Sequence, residues 1–249
     1  NGNTDSERQR LSQLVVESPR ARLLQGHGNI GFGRGCNYGA NLATGDVFLF
    51  LNPDALIDAG AARKMADYGQ TLSKPWIVGG LLRDINGREQ RGSRRQDLTP
   101  WRAITSFTPL HKLPGFPSVH QETDPLPNKP LHVDTVSGAC LMMDRASFDD
   151  LNGFDERYFL HVEDIDICRR ARQMQGQVAL HPRASAMHYG STSRVPVQKV
   201  EWEKLKGFIR YFWNYTPGPL SKIMTILGAP LMFVAIMGRA WLLALRKMI

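Results

Sequence analysis

The sequence predicts an α/β fold built on a doubly wound sheet, and three features predict it. Helical patterns alternate with short apolar runs in the first part of the chain, which is typical of βαβ units. The run Val47–Leu51 (VFLFL) is apolar throughout, as expected for a buried parallel strand. The segment Asn52-Pro53-Asp54 ends this strand, because proline cannot continue a sheet ladder.

The other elements follow from periodicity and from turn residues. Residues 6–16 and 58–72 have apolar positions at helical spacing, and Asp58 is suited to cap the second of these helices. A glycine-rich loop at residues 26–35 precedes a short helix at 36–43, and Asn86-Gly87 predicts a hairpin. A helix is expected at residues 163–175, and strands at 22–25, 76–82, 132–143 (interrupted at 137–139), 177–180 and 184–188. Residues 96–130 have no clear period and predict a loop or lid.

The charge of the 249-residue chain points to an anionic partner. Its net charge is +8 and its pI is near 9.6, which suits phosphates, nucleic acid or acidic lipid, or only a basic solvated surface. Arginines cluster around the predicted hairpin, but few aromatic residues accompany them, so no nucleic-acid partner is expected. The cluster comprises Arg83, Arg88, Arg91, Arg94 and Arg95.

The three cysteines indicate a reducing compartment. Cys36, Cys140 and Cys168 are odd in number and far apart, so the sequence suggests neither a zinc ribbon nor a disulfide framework.

The last part of the chain differs in composition, which predicts two regions: an α/β domain over residues 1–197 and a helical segment over residues 198–249. Residues 199–215 are basic and aromatic, and residues 223–238 carry no charge. At about 1.5 Å per residue the uncharged stretch is about 24 Å long, shorter than a ~30 Å hydrocarbon core. Basic residues flank it, which favours association with membrane lipid, either across or along the bilayer. A buried core helix is the alternative.

Four polar residues are candidates for chemistry, and each has a structural alternative. Asp54 follows the most apolar strand, where a carboxylate can hold Mg²⁺ or Mn²⁺, or simply cap a turn. Glu163 and Asp164 begin a predicted helix, where one can act as a general base or both can serve as N-terminal acids. His188 ends a predicted strand and is either a metal ligand or a structural histidine.

A second pattern favours a different class of protein. Residues 26–31 fit G-x-G-x-x-G, with Asp46 following twenty residues after Gly26, as in a dinucleotide-binding fold. However, the segment Phe32-Gly33-Arg34-Gly35 is a poor helix start. Asp46 also begins a strand, whereas the ribose-binding acid should end one. The pattern is therefore not taken as a dinucleotide site.

Five stretches together resemble the family 2 glycosyltransferases of GT-A fold, in their rhamnosyltransferase-like branch. Residues 29–39 match the family segment N-x-G-F-x-x-G-x-N-x-G, and residues 159–169 match F-x-x-x-E-D-x-D-x-x-x-R. Asn52 stands where the family's D-x-D motif has its first Asp. The remaining resembling stretches are residues 1–5, 51–55 and 136–140.

The resemblance implies a role for each matching residue. Asp54 and His188 would bind the metal, Mg²⁺ or Mn²⁺, on the donor diphosphate. Asp164 would be the general base, with Glu163 as its orienting neighbour. The donor would be bound by Asn29, Gly31, Gly33, Asn37, Asn52 and Asp54, and the acceptor by Ser137, Gly138 and Ala139.

The resemblance also implies the reaction and its setting. The enzyme would transfer a sugar, with rhamnose as the expectation from the branch, from a nucleotide diphosphate to a hydroxyl of a glycan or lipid-linked acceptor. Transfer would invert the anomeric carbon and serve cell-surface polysaccharide synthesis at the cytoplasmic face of the plasma membrane. Arg94 and Arg95 are expected to be solvated, the alternative being contact with an acceptor diphosphate.

Two further expectations concern activity. The family's first strand, helix and second strand would precede Asn1, so weak or no transfer is expected of this chain alone, as donor titration calorimetry would test. A non-catalytic, membrane-bound glycosyltransferase-like scaffold is the alternative function, although the intact acidic residues argue against it.

Overall fold

The computed structural model describes residues 3–108, 113, 115–190 and 195–246. The helices are α1 (Asp5–Val16), α2 (Phe32–Leu42), α3 (Ala59–Gly69), α4 (Pro100–Phe107), α5 (Arg145–Asp150), α6 (Glu163–Gln173), α7 (Val197–Tyr215) and α8 (Pro219–Arg246). The strands are β1 (Val47–Leu51), β2 (Ala55–Ile57), β3 (Trp76–Arg83), β4 (Arg94–Arg95), β5 (Leu131–His132), β6 (Thr135–Val136), β7 (Cys140–Asp144) and β8 (Gln177–His188).

The main sheet is mixed, as predicted, and has the strand order β1-β7-β3-β8-β2, with β5 also paired to β8. The β3–β8 pair is parallel, and the other pairs are antiparallel. The prediction that β1 is a parallel strand is therefore wrong. Its burial alternates, with Phe48 and Phe50 buried and Val47 and Leu49 partly buried, because successive side chains of a strand point to opposite faces of the sheet.

Helix α3 begins at the cap that the sequence indicates. The Asp58 side chain accepts a hydrogen bond from the Ala61 N–H and caps α3, as predicted. Helix α2, however, begins at Phe32 and not at residue 36. Gly31 precedes it with a φ of 89°, and the Phe32 N–H donates to the Phe159 carbonyl over 3.1 Å. This tertiary contact outweighs the low helix propensity of the two glycines that follow.

Three other expectations differ from the structure. Residues 22–25 form no strand, because no strand among the described residues pairs with them. The expected loop at 96–130 contains α4, which Thr99 caps. The strands expected at 177–180 and 184–188 are one strand, β8, whose register against β3 shifts between Gly80 and Leu81.

Two hydrophobic clusters form the interior. The larger lies on the main sheet and includes Trp76, Met65 and Ile167, all fully buried. The smaller packs α7 against the rest of the domain through Tyr158 and Tyr211, which are buried as well. The predicted boundary at residue 197 therefore coincides with the start of α7, but the packing continues across it.

Helix α8 follows α7 and packs along it, with Ile236 buried in the smaller cluster. Among the described residues, no helix combines the length and the apolar character that crossing a bilayer requires. Some of the predictions concern residues outside the described part of the chain. These residues are Asn1 and Gly2 of the first resembling stretch, and Lys247, one of the basic residues that follow the uncharged stretch.

Candidate active site

Strand pairing brings the two predicted metal ligands together. In the antiparallel pair β2–β8, Ala55 lies opposite His188, and the Tyr189 N–H donates to the Asp54 carbonyl over 2.9 Å. The His188 Nε2 atom is consequently 3.2 Å from Asp54 Oδ1, and both side chains are 15% exposed. The Asn52 Nδ2 atom lies 3.4 Å from the same histidine nitrogen. Three residues from two distant stretches of chain therefore meet at one point.

Gln90 sets the tautomer of His188. The Gln90 Nε2 amide donates to the backbone carbonyl of His188 over 3.1 Å, so its Oε1 atom is the group that faces the histidine ring. This Oε1 atom accepts a hydrogen bond of 2.6 Å from His188 Nδ1. In the neutral imidazole, the Nε2 lone pair is then directed toward Asp54, as in metal-ligating histidines that an outer residue orients.

The Asp54–His188 pair fits a divalent cation. A carboxylate oxygen and an imidazole lone pair face each other at 3.2 Å, and a cation bound to both satisfies both acceptors. Among the described residues, no group of three or more His, Cys, Asp or Glu side chains is placed to hold a metal. Mg²⁺ sites of this kind use one or two protein ligands and complete their shell with water and substrate phosphates.

The predicted base, Asp164, lies at the first turn of α6 with its carboxylate held by three donors. Its Oδ2 atom accepts hydrogen bonds from Arg95 NH2 (2.6 Å) and from the Gly138 N–H (3.0 Å). Its Oδ1 atom accepts one from the Ile165 N–H over 2.8 Å. The side chain is 12% exposed, so it is fixed in place but not sealed from solvent.

Its neighbour Glu163 is in a different environment. Burial, followed by the charge of Asp164, raises the pKa of Glu163 well above its ordinary value, although hydrogen bonds from backbone N–H groups oppose the rise. One of these comes from the Val162 N–H over 2.9 Å. The adjacent carboxyl groups therefore differ: Glu163 is buried and tends to be protonated, whereas Asp164 is held as an acceptor.

The predicted acceptor segment joins the two halves of the site. Gly138 donates to Asp164, and the next residue, Ala139, accepts a hydrogen bond of 3.0 Å from the Asn52 N–H. Residues 137–139 therefore lie between the base and the residues around His188. The side chain of Ser137 lines a cavity of about 340 Å³ that Asp164 also lines.

The other residues predicted to bind the sugar donor lie in or just before α2, next to the segment that precedes α6. A Cβ atom on Gly31 would lie 2.6 Å from the Phe159 carbonyl, so only glycine lets the chain approach the segment before Glu163 so closely. Asn29 accepts a hydrogen bond from the Gly31 N–H over 3.2 Å. The Asn37 amide exchanges two hydrogen bonds of 2.9 Å with the Phe154 backbone.

The structure therefore places Asn29, Gly31 and Asn37 in contacts that set the position of α2. Gly33 belongs to the same arrangement, because a Cβ atom there would lie 3.0 Å from Phe154 Cβ. None of these contacts reaches Asp54 or His188.

Sequence reasoning missed two residues of the site, Gln90 and Arg95, and the burial of their neighbour Arg94. Gln90 has no local signal, since its role depends on the pairing of distant strands. Arg94 and Arg95 were expected to be solvated, and that expectation is wrong. Arg94 is 2% exposed and bonds to both oxygens of Glu89, while Arg95 is 14% exposed and bonds to Asp164. Adjacent residues of a strand point to opposite faces of the sheet. A predicted strand at β4 would therefore have placed Arg94 and Arg95 in different environments.

Comparison with known proteins finds matches over most of the chain. A family model described as "Glycosyl transferase family 2" matches residues 1–151, and one described as "N-terminal domain of galactosyltransferase" matches residues 124–193. The chain is 28% identical over 213 residues to the N-acetylglucosaminyl-diphospho-decaprenol L-rhamnosyltransferase of Mycobacterium tuberculosis. That alignment covers 79% of this chain and 67% of the relative.

Two solved structures share the fold. One is GalNAc-T7 with UDP, GalNAc and Mn²⁺, with a TM-score of 0.55 and 13% identity over 89% of this chain and 45% of that chain. The other is the mannosyltransferase PcManGT of Pyrobaculum calidifontis with GDP-Man and Mn²⁺, with a TM-score of 0.53 and 12% identity over 96% and 61%. The chain thus spans about half to two thirds of the length of these proteins. Because the first family model matches more than half of it, the chain belongs to glycosyl transferase family 2.

Proposed function

We propose that this protein is an inverting glycosyltransferase that moves a sugar from a nucleotide diphosphate to a hydroxyl of a glycan or lipid-linked acceptor, in cell-surface polysaccharide synthesis. One observation carries the proposal. Gly138 donates to Asp164, and the next residue, Ala139, accepts a hydrogen bond from Asn52, whose side chain lies beside His188 of the Asp54–His188 pair. A candidate base and a candidate cation site therefore share one short segment of backbone.

The donor side of the proposed site is the Asp54–His188 pair with Asn52. These residues would hold a Mg²⁺ or Mn²⁺ ion, which would stabilise the negative charge on the departing nucleoside diphosphate. Both structural neighbours were solved with Mn²⁺ and a nucleotide or nucleotide sugar, which supports divalent metal dependence. Asn29, Gly31, Gly33 and Asn37 shape the donor side by fixing α2.

The acceptor side is the cavity lined by Ser137 and Asp164. The Asp164 carboxylate takes the proton of the acceptor hydroxyl as its oxygen bonds to the anomeric carbon, and attack opposite the departing diphosphate inverts that carbon. Glu163 orients this carboxylate through the rigid first turn of α6, and residues 137–139 support the acceptor. The mycobacterial relative transfers rhamnose, as its name states, which supports rhamnose as the sugar.

We assign the region from residue 198 onward to the membrane surface at the cytoplasmic face of the plasma membrane, with membrane lipid as partner. Large apolar side chains stay exposed on α7 and α8, among them Trp213 (44%), Leu227 (69%) and Trp241 (61%). Lys222 Nζ lies 5.1 Å from the ring centre of Trp213, so a cation and an aromatic ring meet there, as at lipid interfaces. The three free cysteines support a reducing compartment.

The test of the proposal is sugar transfer by the Asp164→Asn variant. The amide cannot accept the hydroxyl proton, so we expect transfer from a radiolabelled nucleotide sugar to fall by about 10²–10⁴-fold. Asp150→Asn, the same change at an exposed position on α5, is the matched control and should transfer at the parent rate. Equal product formation by Asp164→Asn and the parent would favour the non-catalytic scaffold.

A further inference from the structure

The cavity of about 340 Å³ beside Asp164 has a lining suited to an anion. It lies between the middle of α7, which carries Lys204 and Phe208, and the chain on both sides of β4. The described residues of its lining include three permanent cations, two histidines and a single carboxylate, that of Asp164. The cations are Arg91, Arg95 and Lys204, and the histidines are His120 and His161.

Two of the cations are held at the cavity by carboxylates outside the lining. Lys204 Nζ is 2.8 Å from Glu201, and Arg91 Nε is 4.0 Å from Glu122. Arg91 NH2 also donates to the Ser106 carbonyl over 3.4 Å. These contacts hold the two cations at the cavity. An incoming anion can share each cation with its present partners, because guanidinium and ammonium groups each carry several N–H donors.

Arg95 is the cation in direct contact with the proposed base. Its NH2 group donates to Asp164 Oδ2 over 2.6 Å and to the Val136 carbonyl over 3.3 Å. Its Nε atom is buried and has no hydrogen-bond partner within the described part of the chain. A buried donor without an acceptor costs free energy, and a phosphate oxygen would remove that cost.

The Arg95 contact also occupies Asp164. The guanidinium and two backbone N–H groups take three of the roughly four acceptor positions of this carboxylate, so an acceptor hydroxyl competes with Arg95 for Oδ2. An anion that draws the guanidinium away leaves Oδ2 open to the hydroxyl.

We propose that the cavity beside Asp164 binds a phosphate group of the acceptor, and that Arg95 turns from Asp164 to this phosphate when the acceptor binds. The inference rests on the proposed function and makes it more specific: the acceptor carries a phosphate or diphosphate near the reacting hydroxyl. Arrival of the correct acceptor frees the base, so a neutral sugar or water in the cavity leaves Asp164 paired with Arg95.

The direct test uses inorganic pyrophosphate as the probe, titrated by calorimetry into the full chain in EDTA, so that no divalent cation recruits it to Asp54 and His188. We expect Arg95→Gln to weaken pyrophosphate binding about tenfold or more, because a charge-assisted bond to the anion is lost. Arg88→Gln, the same change at an exposed arginine of the hairpin, should bind as the parent does. Asp164→Asn should bind pyrophosphate about threefold more tightly or better, because the competitor for Arg95 loses its charge.

Parent-like binding by Arg95→Gln would overturn the proposal, as would unchanged or weaker binding by Asp164→Asn. Melting temperatures are measured for each variant, and if Arg95→Gln does not fold, Lys204→Gln decides the question through a loss of about threefold or more. Arg95→Gln should sediment with anionic vesicles as the parent does, and a decrease would assign the phosphate to a bilayer headgroup and overturn the acceptor assignment.

The two proposals fail separately. Full sugar transfer by Asp164→Asn would refute the proposed function without changing the pyrophosphate result. Loss of transfer by Asp164→Asn, together with parent-like pyrophosphate binding by Arg95→Gln, would refute the cavity assignment alone.

Discussion

Neighbouring residues of like chemistry have opposite roles in this protein, because each role is set by what surrounds the side chain. Glu163 and Asp164 are adjacent carboxylic acids, yet one is buried beneath the first turn of α6 and the other accepts three hydrogen bonds at a cavity. Arg94 and Arg95 are likewise adjacent, yet one is buried against Glu89 and the other contacts the proposed base.

The pKa shift of Glu163 predicts how stability depends on pH. Since the folded state raises this pKa above its ordinary value of about 4.5, the folded protein binds the proton more tightly than the unfolded chain does. Its contribution to stability is therefore full below pH 4.5 and is lost as the pH rises toward the raised pKa. We expect the free energy of unfolding of Glu163→Gln, from urea titrations between pH 5 and 8, to fall less than that of the parent. An exposed control, Glu17→Gln, should follow the parent, and a parallel slope for Glu163→Gln would contradict the assignment.

The role of Gln90 predicts a loss of metal affinity without any change in the ligands themselves. Removing a residue that orients a ligating histidine costs about 10–100-fold in metal affinity. We expect Gln90→Ala to bind Mn²⁺ more weakly by such a factor, as measured from the electron paramagnetic resonance signal of free Mn²⁺. Gln70→Ala, at an exposed position after α3, serves as the control. If both variants bind Mn²⁺ alike, Gln90 does not orient a metal ligand.

Strands and helices in this fold are fitted to each other by small residues and buried polar contacts. Asp166 of α6 is 1% exposed and bonds to Arg170 (2.8 Å) and to the Tyr215 hydroxyl (2.7 Å). Arg169 of the same helix bonds to Asp97 and to the Tyr211 hydroxyl, each over 3.1 Å. Helix α7 is thereby fixed to α6, whose first turn carries the proposed base.

The packing of β3 predicts the cost of adding one methyl group. A Cβ atom on Gly79 would lie 2.5 Å from Val136 Cβ, which is too close for the neighbouring strand to remain in place. We expect Gly79→Ala to lower the free energy of unfolding by about 1–3 kcal/mol in urea titrations. Gly39→Ala in α2, where nothing lies within 4 Å, should instead raise it by about 0.5–1 kcal/mol. Equal stabilities for the two variants would show that β3 and β6 tolerate expansion.

At the scale of the molecule, the proposed transferase site lies next to a pair of helices, α7 and α8, with exposed apolar side chains. Helix α7 lines the cavity beside Asp164 through Lys204 and Phe208, and exposes Trp202 and Trp213 to solvent. One helix therefore contacts both the proposed acceptor cavity and the proposed lipid surface. This arrangement suits an acceptor that reaches the site from a membrane.

The proposed membrane surface predicts partitioning onto lipid vesicles. We expect the protein to sediment with anionic vesicles, and Trp241→Ser to reduce the bound fraction, because an exposed indole contributes apolar area and interfacial affinity. Trp101→Ser, at an indole that is 52% exposed on α4, should bind as the parent does. Raising the salt concentration should weaken binding by screening the basic residues. Equal losses for the two variants would remove the assignment of α8 to lipid.

Local rules account for the elements that depend on local chemistry. The bounds of β1, the Asp58 cap of α3 and the Asn86-Gly87 turn were predicted correctly, although the direction of β1 pairing was not. The turn is closed by the Gly87 N–H, which donates to the Asp84 carbonyl over 2.9 Å. The order and spacing of the resembling stretches likewise predicted the family. These features follow from side-chain periodicity and backbone preference within a few residues.

Features that depend on distant residues were decided by the tertiary structure. Helix α2 begins at Phe32 because of the Phe159 carbonyl, Gln90 reaches His188 through strand pairing, and Arg95 reaches Asp164 across 69 positions of sequence. Hydrophobic periodicity carries no information about such partners. The role of a polar side chain depends on the group that the folded chain places opposite it. The α/β fold and the family could therefore be predicted from the sequence, whereas the environment of each charged group at the site could not.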